Sequence, residues 1–468
     1  MYGSTTTEAS GLANSQSWND SPWGLFKATP PASCQQPDST FKNAPNLGWP
    51  IHPLFKCDRS EAFWYDDLSS MKLKDVEVTD FRFRESAPVH HVYCRIPEDA
   101  EMEHPGDAIS YLLPCWSAFM EFGDPPIVPS KDFLKLPHSN TKYSIVRKRP
   151  LPAQGWIKDI CEQLGILFTT SLPTVKGSSR LGGPSVQKAD CNVAECDEDS
   201  DFVVVRDKRR SSNSYHFSTV PFPTVRVFLD LLRGLILKGK LINNSGSKRY
   251  FLRPEHAYML RSAMRLRDAA SDQFDKNNSI KVLILNRLGT RRLLDSIRIE
   301  REIKDRASQT RIHWQHPVRV TQVDDLGAYN GLEQAKLLHN HDIIISPHGN
   351  QLSNIGFANE CAALLEVYVE KMGIPGCFLP LAANAGVLSF GLYAGANIDD
   401  TSTAVVTHSA RVRVRAHNIP LSDDVVNMVP AMLRARISCC QKLADEGHMQ
   451  RAAEARCTPL LRLHEGVI

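Results

Sequence analysis

The sequence predicts an α/β protein built as two domains, and three observations carry that expectation. The chain has 468 residues, well beyond one ordinary hydrophobic core. Two short apolar runs, Val282 to Leu285 and Ile343 to Ile345, each stop at a polar turn with glycine and lead toward a helix. The composition, 42% hydrophobic and 23% charged, is that of a packed globular chain rather than a disordered one.

The elements follow in order. Residues 1–50 are rich in Ser, Thr, Asn, Pro and Gly without apolar periodicity and read as a tail. An N-terminal domain over 51–255 holds short apolar pieces between prolines, among them Ala108 to Leu113 and Trp156 to Thr170. Within it, 176–201 reads as a solvated loop insertion. Phe202 to Val205 reads as a buried strand and Thr224 to Leu237 as an amphipathic helix. A helix over Arg253 to Ala270 leads into a C-terminal domain over 256–420. Ala410 to Arg415 alternates as a half-exposed strand should. A helical segment over 421–468 closes the chain, with Asp423 to Leu443 helical and Pro430 imposing a kink or break.

The chemistry concentrates at the two strand ends. In open α/β sheets ligands bind in the crevice beyond the carboxyl ends of the strands. One end carries Arg287, Thr290, Arg291 and Arg292; the other carries Pro347, His348, Gly349 and Asn350, with Asn354 a turn later. Guanidinium groups pair with phosphate oxygens bidentately and stay charged at physiological pH. Cations at a helix start oppose its dipole, so an anion there relieves the placement. Gly349, lacking Cβ, lets the main chain pass close to a ligand. These features suit a diphosphate.

Three blocks resemble glycosyltransferase family 61. They are Asn213-Ser-Tyr215-His216-Phe217; Leu285-Asn-Arg287 with Thr290-Arg291-Arg292; and Glu333-Gln334 through His348-Gly349-Asn350 and Leu352-Ser353-Asn354 to Leu365-Glu366-Val367. The third is the most specific. The resemblance implies a GT-B architecture, two Rossmann-like domains facing a cleft, with the nucleotide sugar held mainly by the C-terminal domain. It implies an inverting transfer of xylose, arabinose or N-acetylglucosamine from a UDP-sugar donor to a glycan or protein hydroxyl. It also implies work in the Golgi or endoplasmic reticulum lumen and no essential metal or cofactor. The chain departs from the family at Val220, where members often carry aspartate, and at Gln351, where they prefer glycine.

Transfer needs stabilisation of the departing diphosphate and a base for the acceptor proton. Arg287, Arg291, Arg292 and the amides around Gly349 are the candidates for the first task. His216 is the candidate base, since imidazole titrates near neutral pH. Glu366, after the run Ala362 to Leu365, is expected to accept hydrogen bonds from a ribose diol. For metals, His90, His91 and Cys94, or Cys191 and Cys196, are ligands on paper, but zinc-type spacings are absent. Asp324-Asp325 reads as a turn cap.

The net charge of +3, with scattered basic residues, argues against nucleic acid. No interval reaches the roughly eighteen apolar residues of a membrane span. The opening Met1-Tyr-Gly-Ser-Thr-Thr-Thr-Glu has no hydrophobic core of a signal or anchor, which leaves two expectations: a true N-terminus missing from this chain, the one case with membrane association, or a cytoplasmic protein with reduced thiols. Twelve cysteines and the sequons at Asn243 and Asn277 fit a secretory location without deciding it. Two alternatives stand beside the transferase. One is a catalytically impaired nucleotide- or carbohydrate-binding member of the same fold. The other is a dinucleotide enzyme, against which stands the lack of any Gly-x-Gly-x-x-Gly after a strand.

Overall fold

The structure is a computed structural model. It describes residues 34–35, 51–57, 59–65, 89–95, 105–122, 142–146, 155–169, 202–206, 214–218, 225–230, 235–237, 240–242, 251, 254–266, 279–309, 318–373, 377–395 and 413–457. The chain divides into two compact units. One comprises Met1–Met71, Arg267–Ala328 and Lys336–Ile468; the other comprises Lys72–Leu266 and Tyr329–Ala335.

In chain order the strands are β1 (Cys34–Gln35), β2 (Ile51–Cys57), β3 (Glu61–Tyr65), β4 (Val89–Arg95), β5 (Lys142–Val146), β6 (Ile166–Thr169), β7 (Phe202–Arg206), β8 (Ser214–Ser218), β9 (Val225–Asp230), β10 (Leu235–Leu237), β11 (Lys240–Ile242), β12 (Ile280–Leu285), β13 (Val318–Val323), β14 (Ile343–Pro347), β15 (Ala363–Tyr368) and β16 (Leu388–Tyr393). The helices are α1 (Pro105–Phe122), α2 (Trp156–Gln163), α3 (Pro254–Ala263), α4 (Ser296–Gln309), α5 (Gly331–His339), α6 (Leu379–Asn384), α7 (Ser422–Asp445) and α8 (Met449–Glu454).

The first unit is built on one sheet, ordered β1-β2-β3-β16-β15-β14-β12-β13. The five strands from β16 to β13 are parallel, and β3 joins β16 antiparallel. Strands β14, β15 and β16 are buried along their whole length, so their near-continuous apolar runs are what a sheet covered on both faces demands. The edge strand β13 instead alternates between half-buried and exposed residues. Strand β3 fits against β16 because Gly391 has no side chain: a Cβ there would lie 2.1 Å from the Phe63 ring. Strands β2 and β3 come from the stretch that the sequence reading placed with the N-terminal domain.

Helix α4 turns Ile299 and Ile303, one helical turn apart, into the core. Helix α7 adds Val425, Met428, Met432 and Ala435 to the same cluster. Pro430 lies inside α7 without ending it. The C-terminal helices are bound to the sheet covalently and electrostatically. Disulfides join Cys361 to Cys439 and Cys440 to Cys457. Arg436, fully buried, donates through Nη2 to Asp342 Oδ1 at 2.7 Å and to Ala455 O at 2.6 Å. The other Asp342 oxygen accepts from Lys281 N at 2.8 Å.

The second unit holds a four-stranded parallel sheet, β6-β5-β4-β9, with the β7–β8 and β10–β11 ribbons. A disulfide ties Cys94 of β4 to Cys115 of α1, and Trp116 Nε1 donates to His256 O at 2.9 Å.

Several expectations are corrected. Within the stretch expected as a helix, Thr224 to Leu237, the described residues form strands β9 and β10. Val225, Val227 and Phe228 favour an extended chain, and pairing with β4 decides the outcome. Arg413 to Arg415 form a helical turn closed by Ala416 N on Arg413 O, not a strand; 410–412 lie outside the described residues. The helix after residue 253 spans Pro254–Ala263. Cys94, considered as a ligand, is disulfide-bonded. The insertion 176–201, with Cys191 and Cys196, lies outside the described residues, as do Val220 and the side chains of His90 and His91. Asp325 Oδ1 accepts from Gly327 N at 2.9 Å, the turn cap that was expected.

Candidate functional site

The site lies at the reversal of strand order in the first unit. After β12 the chain adds β13 on one side, then returns to place β14 on the other side of β12. Such a switch point opens a crevice at the carboxyl ends of the two strands, because their following segments leave in opposite directions.

The turn after β12 is shaped by Asn286, which is buried. Its Oδ1 accepts from Leu293 N at 2.9 Å and its Nδ2 donates to Leu293 O at 3.2 Å, closing the arginine turn from within. A second segment runs beside that turn. Arg291 N donates to His417 O at 3.1 Å, Arg292 N to Asn418 Oδ1 at 3.1 Å, and Ile419 N to Arg292 O at 2.9 Å. These bonds hold Arg291 at a φ of 61°, a left-handed conformation that costs a non-glycine residue about 1 kcal/mol or more. They also bring the turn carrying Arg415 beside the cluster.

The turn after β14 is fixed by backbone and side chain. Ser346 Oγ donates to Leu285 O at 3.0 Å, across to β12, and His348 N donates to Val367 O at 2.8 Å. The chain then enters a 3-10 helix, Asn350–Phe357. Gly349 is extended, with φ 165°, so its conformation alone does not demand glycine. Space does: a Cβ would fall 1.9 Å from Arg287 Nη1 and 2.4 Å from Gln351 Oε1. The group that approaches the main chain here is thus a guanidinium from the turn after β12. Arg287 Nη1 donates to Gln351 Oε1 at 3.0 Å, and Gln351 Nε2 donates to Pro347 O at 2.6 Å.

Positive charge collects between the two turns. Burial, then the Arg415 charge, lowers the pKa of Arg287. Burial, then Arg287 and Arg415, lowers that of Arg291 to about 10. Among the described residues no carboxylate pairs with these three, and Arg291 Nε is buried without a hydrogen-bond partner. Like charges collected without a counterion favour a bound anion.

His348 is 7% exposed and Glu366 not at all. Nδ1 of His348 donates to Glu366 Oε1 at 2.6 Å, which leaves Nε2 as the nitrogen for other chemistry. The imidazole packs against Tyr368 at 5.4 Å and Phe378 at 5.5 Å between centroids. Burial, then the Glu366 charge, pushes the Tyr368 phenol well above its usual pKa. Glu366, expected to receive a ribose diol, is fully buried on β15 with one carboxylate oxygen on the histidine.

The remaining expected residues divide clearly. Thr290, Arg292 and Asn350 are exposed at the mouth. Pro347 and Asn354 are buried and belong to the frame. His216 falls on β8 opposite Val204, in the other unit, and its side chain lies outside the described residues. The sequence reading missed Asn286 as the clasp of the turn, and it missed Arg415, hidden in an alternating arginine run that resembled a strand. Among the described residues the sulfurs of Cys361, Cys440 and Cys457 lie within 4.8 Å of one another. All three belong to disulfides and offer no thiolate to a metal. Among the described residues no helix is long and apolar enough to cross a membrane.

Residues 244–365 match the family described as Glycosyltransferase 61, which bears out the resemblance. The match contains both turns of the crevice and ends one residue before Glu366. A search of curated proteins returns no match.

Proposed function

We propose that this chain, whose residues 244–365 match the Glycosyltransferase 61 family, carries out an inverting transfer of a sugar from a UDP-sugar to a glycan or protein hydroxyl. The observation that carries the reading is the seat of Arg287 over Gly349, which unites the arginine turn and the histidine–glycine turn in one crevice. The donor's diphosphate binds there, on Arg287, Arg291 and the first amides of the 3-10 helix, whose N–H groups have no partner within the helix. The acceptor oxygen bonds to the anomeric carbon as the bond from that carbon to the phosphate oxygen breaks. UDP leaves with the bonding pair, and the arginines stabilise its growing charge. His348 Nε2, aimed by Glu366, contacts the donor at the mouth.

The acceptor proton passes to His216, the base implied by the family resemblance. A GT-B arrangement of two Rossmann-like domains is part of the same proposal, as is independence from a metal. Xylose, arabinose and N-acetylglucosamine are the donor sugars the resemblance offers. The three disulfides among the described residues favour an oxidising compartment such as the Golgi or endoplasmic reticulum lumen.

The test is a screen of UDP-sugars for transfer and for slow hydrolysis, with His216→Ala beside the natural chain. Turnover with one UDP-sugar, lost in His216→Ala while UDP binding persists, supports the assignment. UDP binding without any turnover identifies the catalytically impaired alternative. Indifference to UDP contradicts both.

A further inference from the structure

Resting on the nucleotide reading above, we propose that Gln351 is the positioning residue of the anion site. Its amide holds the Arg287 guanidinium at the crevice without neutralising it.

The amide is anchored at its nitrogen end. Gln351 Nε2 donates to Pro347 O at 2.6 Å and to Ser346 Oγ at 3.2 Å. Ser346 Oγ in turn donates to Leu285 O on β12. A nitrogen held by two acceptors fixes the orientation of the amide, so Oε1 must face Arg287, where it accepts at 3.0 Å. The guanidinium is thereby laid over Gly349, and the space for it exists because residue 349 has no Cβ. One N–H of Arg287 is committed to this contact and the others remain for a ligand.

The neutral acceptor matters because of what surrounds it. Arg287, Arg291 and Arg415 share the site, and among the described residues none is paired with a carboxylate. An arginine in such company is driven away from the cluster, and a long free side chain loses rotamer entropy when it is recruited by a ligand. A carboxylate would hold Arg287 but cancel the charge that a diphosphate needs. An amide holds it and leaves the charge intact. This separates a positioning role from simple filling of space, because glutamate and glutamine have the same shape.

The experiment is calorimetric titration of the full chain with UDP alone, comparing Gln351→Glu, Gln351→Ala and Arg287→Ala, with Tm recorded for each. The proposal expects Arg287→Ala to lose UDP affinity by roughly tenfold or more. It expects Gln351→Glu to lose roughly tenfold or more with an unchanged or higher Tm, since the new carboxylate pairs with Arg287. Gln351→Ala should lose only roughly two- to tenfold, the cost of ordering a freed side chain. If Arg287→Ala weakens UDP while Gln351→Glu and Gln351→Ala both bind as the natural chain does, the positioning role is overturned and the site stands. Equal losses in the two Gln351 variants also overturn it, since they indicate filling of space. If Arg287→Ala binds UDP normally, the nucleotide reading and this inference fall together.

Discussion

The guanidinium of Arg287 occupies the space that a side chain at residue 349 would need, with Nη1 1.9 Å from where the Cβ would stand. Two residues from the turns that follow adjacent parallel strands are therefore mutually dependent. Glycine is required at 349 by its neighbour and not by its own backbone, which is extended.

Gly349→Ala is predicted to expel Arg287 from the crevice. The atom in conflict is the end of a flexible side chain, so the fold absorbs the change, with Tm moving by only a few degrees. UDP affinity should fall by roughly tenfold or more, as it would if the charged hydrogen bond were deleted. Calorimetry on the variant checks this; normal affinity would show that Arg287 does not serve from its present position.

Arg291→Gly is predicted to separate stability from binding. It relieves a left-handed backbone at φ 61° and removes a half-buried positive charge from beside two others. Stability should rise by about 1 kcal/mol in a denaturant titration while UDP binding weakens. The pH dependence has a defined sign. Because the pKa of Arg291 is lowered to about 10, its charged form carries a folding penalty below that pH, and the penalty is released as pH rises through it. UDP affinity should accordingly fall on approach to pH 10 in the natural chain and change less in Arg291→Gly.

Arg436→Ala is predicted to be severely destabilising. It leaves Asp342 buried without its main cation and removes the bond to Ala455 O. Breaking a buried pair in this way costs about 3–5 kcal/mol. Urea unfolding would show it as a lower midpoint, and an unchanged midpoint would mean that the buried network contributes little.

The two C-terminal disulfides differ in reach. Cys361–Cys439 closes a separation of 78 residues and Cys440–Cys457 one of 17. In the chain-entropy account, removal costs about 4.5 and about 3 kcal/mol respectively. Paired serine substitutions, compared by Tm under oxidising conditions, should rank the two in that order.

How much of this could be read from the sequence follows from physics. The runs Val282 to Leu285 and Ile343 to Ile345 were legible because a strand covered on both faces must be apolar throughout. The arginine turn and the histidine–glycine turn were legible as neighbours because both follow strand-like apolar runs, and the structure places Arg287 over Gly349. Thr224 to Leu237 was misread because a short apolar pattern fits either period, and the partner strand β4 settled it. The place of Glu366 at a strand end is visible in sequence, whereas its burial and its bond to His348 are not. Arg415 and Gln351 were not legible as site residues. Their roles depend on which segments lie side by side, and nothing local announces that Arg291 and Arg292 bond to residues 417 and 418.

The most direct measurement is a crystal structure of the chain with UDP. The account predicts the diphosphate between Arg287 and Arg291, with an oxygen within hydrogen-bond reach of the Gly349–Gln351 main chain and the Gln351 amide still on Arg287. A diphosphate bound elsewhere, with the two turns empty, would contradict it.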